Sequence, residues 1–502
     1  MAGLSRHGAF SVLTNTILGP GLLGLPWAVS QCGFALGLIL LILCACIGFL
    51  GMHFLAASAM LVTPTLQDSD VLSLSAMCRH VSSPVLHAAF EVGLVIACSG
   101  ALITSLIIIG DSLEPLQLLS RQHWILVVFC CVAFPLSCFK QIKFLRFSSY
   151  LSLAMILYIV GLVLAYAATG GFPEEEVGPL ELFRWDNGMA ILQSLPVFTF
   201  CFCGHMNIIP ITKELADVNL IRLDAVMLFA LVVAGSIYTA VSAGAYISFG
   251  NATPQDLLSK YNYCPAVIIA RIGMTVVCTA FYPLLVQPIR GTLSGWVDMC
   301  LQRYLGSRRA PQDTSVEKVV SLQRQSKEAD PLSASTSAAS SSQPASAADG
   351  NSHASGAGPA RHESIVRFPM VRRRQSVEIM QQVAGSDRPV AIHWVLTLLV
   401  GGVALAVALS TTSLGKVFSL SGATGFALLC NICPSVLYLR LTAPTSAHMR
   451  ASTAPLAAAA ADGEPRDSGG QSMLAMRALA TCLLGLGLLS MPFCIAANLI
   501  TK

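Results

Sequence analysis

The hydrophobic positions of this chain gather in long runs rather than in the short polar-apolar alternations typical of β-strands. A helix needs about 20 mostly apolar residues to cross a bilayer, and runs of that order recur along most of the sequence. A spanning segment must satisfy its own backbone hydrogen bonds, so these runs are predicted to be helices. We count eleven, at residues 9–30, 33–62, 84–110, 123–139, 147–168, 189–211, 223–249, 264–290, 391–411, 417–439 and 473–499.

The composition favours a membrane protein over an ordinary soluble enzyme. The 502 residues are 54% hydrophobic and 11% charged, and the mean hydropathy is +0.69. Soluble domains carry about 25% charged residues. The net charge of +4 is too small to imply nucleic acid binding. The expected fold class is therefore an all-α polytopic membrane protein with 11 transmembrane helices.

The distribution of basic residues predicts the orientation in the membrane, since Lys and Arg accumulate in cytoplasmic loops. With the N-terminus inside, Lys140, Lys143 and Arg146 lie in an inner loop, whereas the acidic run 174–176 faces outward. We read the first apolar segment as a span and not as a signal peptide, because Gly19-Pro20-Gly21 interrupts it and the apolar pattern continues. The N-terminus is thus predicted to be cytoplasmic.

Two polar stretches divide the spans. Residues 307–388 and 441–471 are rich in Ser, Ala and Gly, a composition that buries too little apolar surface to order itself. Within the first, the basic run 372–374 precedes Ser376, which suits a basophilic kinase or an anionic lipid surface, although a solvated tail is the plainer alternative. The predicted organisation is 1–290 with transmembrane helices 1–8, 291–390 as a disordered cytoplasmic loop, 391–440 with helices 9–10, 441–472 as a flexible cytoplasmic loop, and 473–502 with helix 11.

Two of the predicted helices carry breakers near their centres. In the first, Pro20 stands between glycines and removes the helical donor for the carbonyl of Thr16. In the sixth, Pro196, Gly204 and Pro210 interrupt the run. Kinked packing helices are the alternative, but two interrupted helices five apart are typical of transporters built from inverted five-helix repeats.

An unwound centre suits an α-amino acid. Bare N–H groups at a helix start bind a carboxylate, and free carbonyls accept from an ammonium or hold a cation. We expect Gly21, Leu22 and Leu23 to offer N–H groups to the carboxylate, and the carbonyls of 200–203 to receive the ammonium. A neutral substrate is favoured, because no acidic or basic residue lies centrally in the first, sixth or eighth helix.

Several other polar residues lie within the apolar runs. His205 is the titratable residue at mid-depth of a broken helix, and Glu91 and Arg271 lie near segment ends, where they are expected to snorkel. Thr275 and Thr279 lie one helical turn apart, so their hydroxyls either contact a cation or bond the carbonyls four residues back.

The sequence carries no enzymatic signature. GxSxG, HExxH and GxxxxGK[ST] are missing, which argues against a hydrolase, a metalloprotease and an ATP-driven pump. The 17 cysteines lie mostly in apolar runs and form no paired CxxC pattern, so no metal site is expected apart from one for Na⁺. We therefore predict secondary transport without a cofactor other than the coupling ion, Na⁺ or H⁺.

Four stretches resemble the amino acid/auxin permease family, namely SVLTNTILGPGLLGLPWAV, FTFCFCGHMNIIPITKEL, YPLLVQPIRGTL and GKVFSLSGATGFALLCNICPSVLYLRL. Within it they are most similar to the sodium-coupled neutral amino acid transporters (systems A and N) and to vacuolar amino acid transporters. The resemblance implies a leucine-transporter-like fold, with two inverted five-helix repeats plus one helix. It also implies that Asn15 contacts substrate and Na⁺ and that Thr279 contacts Na⁺. His205 falls where many members have a Cys-His pair, but here Gly204 precedes it.

The predicted function is secondary active transport of neutral amino acids by alternating access; a non-transporting amino acid sensor on the same fold is the alternative. The expected partners are the amino acid and the lipid bilayer, in a plasma membrane or a lysosomal or vacuolar one. The residues predicted to contact the substrate are Asn15, Gly21, Leu22, Leu23, Phe200, Cys201, Cys203 and His205, and those predicted to hold Na⁺ are Asn15, Thr16, Thr275 and Thr279.

Overall fold

A computed structural model gives a helical chain. It describes residues 5–62, 74–138, 145–170, 177–185, 188–215, 219–328, 390–411, 413–443 and 467–500. These residues form helices and turns and no β-strand.

Ten helices in the described ranges are long and apolar enough to cross a membrane, and one bent pair makes an eleventh span. Numbered in chain order, the spans are span 1, Arg6–Ile17 with Gly21–Cys32; span 2, Phe34–Val62; span 3, Pro84–Leu113; span 4, Arg121–Val128 continued by Phe129–Ala133 and Phe134–Cys138; span 5, Leu145–Thr169; span 6, Gly188–Cys201 with Ile208–Glu214; span 7, Leu220–Phe249; span 8, Pro265–Leu301, the first part of the helix Pro265–Glu328; span 9, Val390–Ser410; span 10, Leu414–Ser421 continued by Gly422–Phe426, Leu428–Ile432 and Cys433–Leu441; and span 11, Asp467–Ile500.

The eleven predicted spans are confirmed. The structure differs from the prediction in the length of the helix that contains the eighth span. We expected that helix to end at 290, but it continues to Glu328, which corrects the predicted start of the disordered loop at 291. Its distal part, 312–328, is rich in Gln, Lys and Glu, which are good helix formers. Residues 329–389 and 444–466, with the predicted kinase or lipid motif, lie outside the described residues.

The buried part of the transmembrane unit consists of spans 3, 6, 8 and 10 with the centre of span 1. Spans 2, 4, 5 and 11 are less buried, with 22–28% of their most apolar windows inside the protein, and their exposed faces carry large apolar side chains such as Ile42, Leu157 and Leu489. A fully apolar outer face fits contact with lipid chains. The second half of span 1 packs on the first half of span 6, and span 7 packs on both halves of span 1. The two broken spans therefore meet in the interior.

A short segment, 177–185, forms a strap over the ends of spans 1, 2 and 7. Its backbone bonds to theirs, with Phe34 N donating to Glu181 O at 3.0 Å and Arg184 N donating to Cys32 O at 3.0 Å. Two glycines with positive φ make the approach possible: a Cβ on Gly33 (φ +83°) would lie 2.9 Å from Leu182 O, and one on Gly250 (φ +55°) 2.3 Å from Gly178 O. The strap is thus held mainly by bonds between main-chain atoms, to which the Tyr246 hydroxyl and the Arg184 guanidinium add side-chain bonds.

Candidate substrate and ion site

The first span breaks where Gly-Pro-Gly predicts. Its helix ends at Ile17, a new one begins at Gly21, and the two are bent by 54°. Gly19 N donates to Ile17 O at 2.9 Å, which closes a tight turn before Pro20. A Cβ on Gly19 would lie 3.1 Å from the Phe281 ring, so span 8 lies directly against this break.

The predicted carboxylate donors lie at the start of the second half-helix. Leu22 N donates to Gly19 O at 3.2 Å and Leu23 N donates to Pro20 O at 3.4 Å. The second hydrogen bond is weak because of its length. Both leucines are fully buried. Gly21 faces span 6, because a Cβ there would lie 2.5 Å from Cys201 Sγ. Any larger residue at Gly21 would displace that thiol.

The sixth span breaks at Phe202–Gly204, between Gly188–Cys201 and the short 3₁₀ turn His205–Asn207. Phe200 is buried, and its ring packs edge-on against Phe418 and Phe426 of span 10 with centroids 4.7 Å apart. Its carbonyl accepts from Cys203 N at 3.2 Å. The predicted ammonium acceptors of this stretch are thus present, but the Phe200 carbonyl already has one donor and keeps one lone pair.

One direct hydrogen bond and one bridging tyrosine hydroxyl join the breaks. Asn207 Nδ2 donates to Thr16 Oγ1 at 2.6 Å, and the Thr16 hydroxyl donates to Val12 O at 2.8 Å. The Tyr238 hydroxyl of span 7 lies 2.7 Å from Ile17 O and 3.3 Å from Cys201 O. Each of those carbonyls lies at the end of a first half-helix, where helical donors run out. Tyr238 therefore bridges both breaks.

The hydroxyls of Thr275 and Thr279 each bond the carbonyl four residues back, which is one of the two arrangements that the sequence allows. Thr279 Oγ1 donates to Thr275 O at 2.7 Å, and Thr275 Oγ1 donates to Arg271 O at 3.0 Å. Their hydroxyl lone pairs remain as acceptors for a cation. Asn15 is buried, with 7% of its surface exposed, and it lies on span 1 one turn before the Gly19 contact with span 8.

His205 is 1% exposed, and neither of its ring nitrogens has a hydrogen-bond partner among the described residues. Its ring stands beside span 2, since a Cβ on Gly51 would lie 2.4 Å from His205 Nε2. A ring nitrogen of His205 and the thiols of Cys203 and Cys430 all lie within 4.8 Å of one another. The structure thus brings Cys430 of span 10 next to Cys203 and His205, the two residues of this group that the sequence analysis had named.

The comparison with protein families matches these features. A family model described as transmembrane amino acid transporter protein covers residues 3–458. The chain belongs to this family. Vacuolar amino acid transporter 5 of Schizosaccharomyces pombe is 28% identical over 58% of this chain and 70% of its own length. Vacuolar amino acid transporter 6 of Saccharomyces cerevisiae is 24% identical over 58% and 66%.

Sodium-coupled neutral amino acid transporter 7 of Danio rerio is 25% identical over 58% of this chain and 65% of its own length. The matches to these three relatives thus span about two thirds of their lengths. A solved manganese transporter from Eremococcus coleocola aligns with 99% of this chain at a TM-score of 0.43 and 13% identity, a likeness too weak to carry an argument. The resemblance seen in the sequence is confirmed, and the similar proteins are transporters rather than enzymes.

In this amino acid transporter family member, Glu91 does not snorkel. It is 5% exposed, it lies 3.2 Å from His87 Nε2, and it accepts from the Ser75 hydroxyl. Its burial follows from the short helix Leu74–Val81, which packs on this part of span 3. The expectation that Glu91 would reach solvent is therefore wrong, because the sequence did not show that this helix packs there.

Arg271 is also buried, at 4% exposure, and does not snorkel. Its guanidinium donates to Asp111 O at 3.2 Å and to Leu258 O at 2.5 Å. Asp256, in the loop before span 8, lies close enough for burial and the Asp111 charge to raise its pKa to about 6, while Arg271 lowers it. Asp111 in turn pairs with Arg121 at 2.5 Å. A cluster of charges, in which Arg271 and Asp256 are buried and Asp111 and Arg121 are partly exposed, thus joins spans 3, 4 and 8 at the predicted outer side.

Sequence reasoning missed Asn207, Tyr238 and Cys430. Asn207 carried a usable signal, since it is an amide within an apolar run three residues before Pro210. Tyr238 and Cys430 carried none, because a tyrosine or a cysteine in an apolar helix is common. Their roles appear only when spans 7 and 10 are placed against the breaks.

Proposed function

We propose that this protein is a secondary active transporter that carries neutral amino acids across its membrane by alternating access, driven by a Na⁺ gradient. The observation that supports it is the meeting of two interrupted spans, with Thr16 bonded to Asn207 and Gly21 packed on Cys201. Half-helix ends there combine N–H groups for a carboxylate with carbonyls for an ammonium or a cation. Membership of an amino acid transporter family supports the same substrate class.

The test is uptake by the purified protein in liposomes, with Na⁺ and pH gradients imposed separately and a panel of amino acids. We expect neutral amino acids to drive an inward current that requires Na⁺. Saturable binding without flux would identify the sensor alternative. Uptake that ignores Na⁺ but follows a pH gradient would refute Na⁺ coupling while leaving transport intact.

The ion site is tested by Asn15→Ala and Thr279→Ala. Removing an oxygen ligand weakens cation binding, so each change should raise the Na⁺ concentration for half-maximal uptake, by about tenfold if it removes about 1.4 kcal/mol. Ser236→Ala is the matched control, because Ser236 is exposed on span 7 and bonds only the carbonyl of Val232. Equal Na⁺ dependence in all three variants would remove Asn15 and Thr279 from the site.

The substrate clamp is tested on the wild-type protein, which avoids any question of folding. Amino acids with a free carboxylate and a free amine should compete for uptake, whereas their amides and N-acetyl derivatives should not. An amide that competes as well as its parent acid would exclude the half-helix of Gly21, Leu22 and Leu23 as a carboxylate site.

H⁺ is the second candidate for the coupling ion, and the buried Glu91–His87 pair favours it. A carboxyl group and an imidazole lie 3.2 Å apart in this span and are buried, and ionisable residues inside a membrane segment often mark a proton pathway. If uptake follows pH, Glu91→Gln should abolish the pH-driven component. For the membrane, we propose the vacuole or lysosome, supported by the names of the similar yeast proteins; a fluorescent fusion that labels only the cell surface would refute this.

A further inference from the structure

Three soft ligand groups meet at the break of span 6. Cys203 and His205 flank Gly204 there, and Cys430 comes from span 10. One ligand atom from each residue lies within 4.8 Å of the other two. All three residues are buried, with exposures of 3%, 1% and 2%.

The imidazole distinguishes this cluster from ordinary core packing. A neutral imidazole carries one donor and one acceptor, and in the interior each unpaired polar group costs about 1–3 kcal/mol. Both nitrogens of His205 lack a hydrogen-bond partner among the described residues. Gly51 leaves the space in which the ring stands, since a Cβ there would approach both His205 Nε2 and Cys430 O. The protein thus keeps room for a ring whose nitrogens are unused.

The donor set and its charge select the ion. Thiolate and imidazole bind Zn²⁺ and Cu⁺, whereas Mg²⁺ and Ca²⁺ require oxygen ligands. Two thiolates neutralise one Zn²⁺ but leave an excess negative charge on Cu⁺, and an uncompensated charge in a membrane interior is costly. Zn–S bonds of about 2.3 Å and Zn–N bonds of about 2.0–2.1 Å place tetrahedral ligands about 3.5–3.8 Å apart. Since the three ligand atoms lie within 4.8 Å of one another, a closure of no more than about 1.3 Å would reach that geometry.

We propose that Cys203, His205 and Cys430 form a Zn²⁺ site that fastens the unwound segment of span 6 to span 10. Binding replaces the protons of the two thiols, which leave to solvent, with two Zn–S bonds and one Zn–N bond, so it requires no oxidant or reductant. The fourth tetrahedral position stays open. The ion would be held by side-chain atoms of Cys203 and His205, whereas the groups expected to receive the ammonium in this stretch are main-chain carbonyls, so the Zn²⁺ site is separate from the coupling ion but adjoins the proposed substrate site.

The experiment uses the full-length protein purified in detergent. After incubation with Zn²⁺ and removal of the excess, wild type should retain one ion per chain, measured by elemental analysis. Replacement by Co²⁺ should produce a thiolate-to-cobalt charge-transfer band, a signature that adventitious binding to surface carboxylates does not give. Because the three ligands come together only in the folded protein, Zn²⁺ binds the folded state and should also raise the melting temperature.

Cys430→Ser and Cys203→Ser should each lose the cobalt band, the retained ion and the Zn²⁺-dependent rise in melting temperature. Cys278→Ser is the matched control, since Cys278 is a fully buried thiol of span 8 outside the cluster. Wild-type protein without a charge-transfer band would overturn the proposal whatever the variants do. A Cys278→Ser variant that loses the band as completely as Cys430→Ser would overturn it as well.

Discussion

Removing the Tyr238 hydroxyl should loosen both helix breaks at once. In Tyr238→Phe the ring stays, but Ile17 O and Cys201 O lose a donor that lies 2.7 and 3.3 Å away. Ile17 O keeps Gly19 N at 2.9 Å, so its loss is one net hydrogen bond, about 0.5–1.5 kcal/mol. Cys201 O, at the longer distance, shares the same hydroxyl proton, so it adds no second full hydrogen bond. The expected total is about 1 kcal/mol, or roughly fivefold in an equilibrium.

The matched control is Tyr158→Phe. The Tyr158 hydroxyl donates to Ala266 O at 3.0 Å, so this change also deletes a bond from a tyrosine to a backbone carbonyl, but it lies between spans 5 and 8 and away from the breaks. Melting temperature in detergent and initial uptake rate in liposomes should both fall in Tyr238→Phe. Tyr158→Phe should lose some stability and keep its uptake. Equal uptake losses in the two variants would refute the view that Tyr238 acts through the breaks.

Three further outcomes are expected. Gly21→Ala should reduce uptake at least tenfold, because its Cβ would lie 2.5 Å from Cys201 Sγ. Gly161→Ala is the control and should keep its uptake, because open space surrounds Gly161. Similar uptake in the two variants would contradict the view that Gly21 must pack closely on Cys201. Folding raises the pKa of Asp256 from 3.8 to about 6, so the folded state binds this proton more tightly and is stabilised as pH falls through about 6, with no further gain below about 4. The rise in melting temperature between pH 7.5 and 5 should therefore be larger in wild type than in Asp256→Asn, and equal rises would remove Asp256 as its source. Glu91→Gln should leave purely Na⁺-driven uptake near the wild-type rate, measured at fixed pH, and a complete loss would place Glu91 in the common transport pathway.

The spans and their breaks could be predicted because both follow from local chemistry. A run of apolar residues must form a helix in lipid, and Pro20 and Gly204 act on the backbone of their own segments. The position of each break depends on a few neighbouring residues, so no tertiary information was needed. The same reasoning ended the eighth helix too early, because it took the end of the apolar run at 290 for the end of the helix, which continues to Glu328.

The residues that sequence analysis missed or misplaced depend on contacts between distant segments. Cys430 joins Cys203 and His205 only because span 10 packs against span 6, and spacing along the chain holds no trace of that. Glu91 was expected to reach solvent because its distance from the end of the apolar run was visible, while the helix Leu74–Val81 that covers it was not. Side-chain contacts between helices could therefore be identified only once the fold was known.

The strap over the ends of spans 1, 2 and 7 has a consequence for mutational tolerance. Most of its bonds join backbone atoms, such as Arg184 N to Cys32 O and Asn251 N to Pro179 O, and the Arg184 guanidinium adds a bond to Ser30 O. Most side chains of the strap other than Arg184 can therefore vary without loosening it. The exceptions are glycines, Gly178 within the strap and Gly33 and Gly250 beside it, where any Cβ would clash with neighbouring main chain. In a randomised library covering this region, survivors should therefore accumulate substitutions along 180–185 while retaining these three glycines. Such a library would record the strongest constraint at residues that have no side chain.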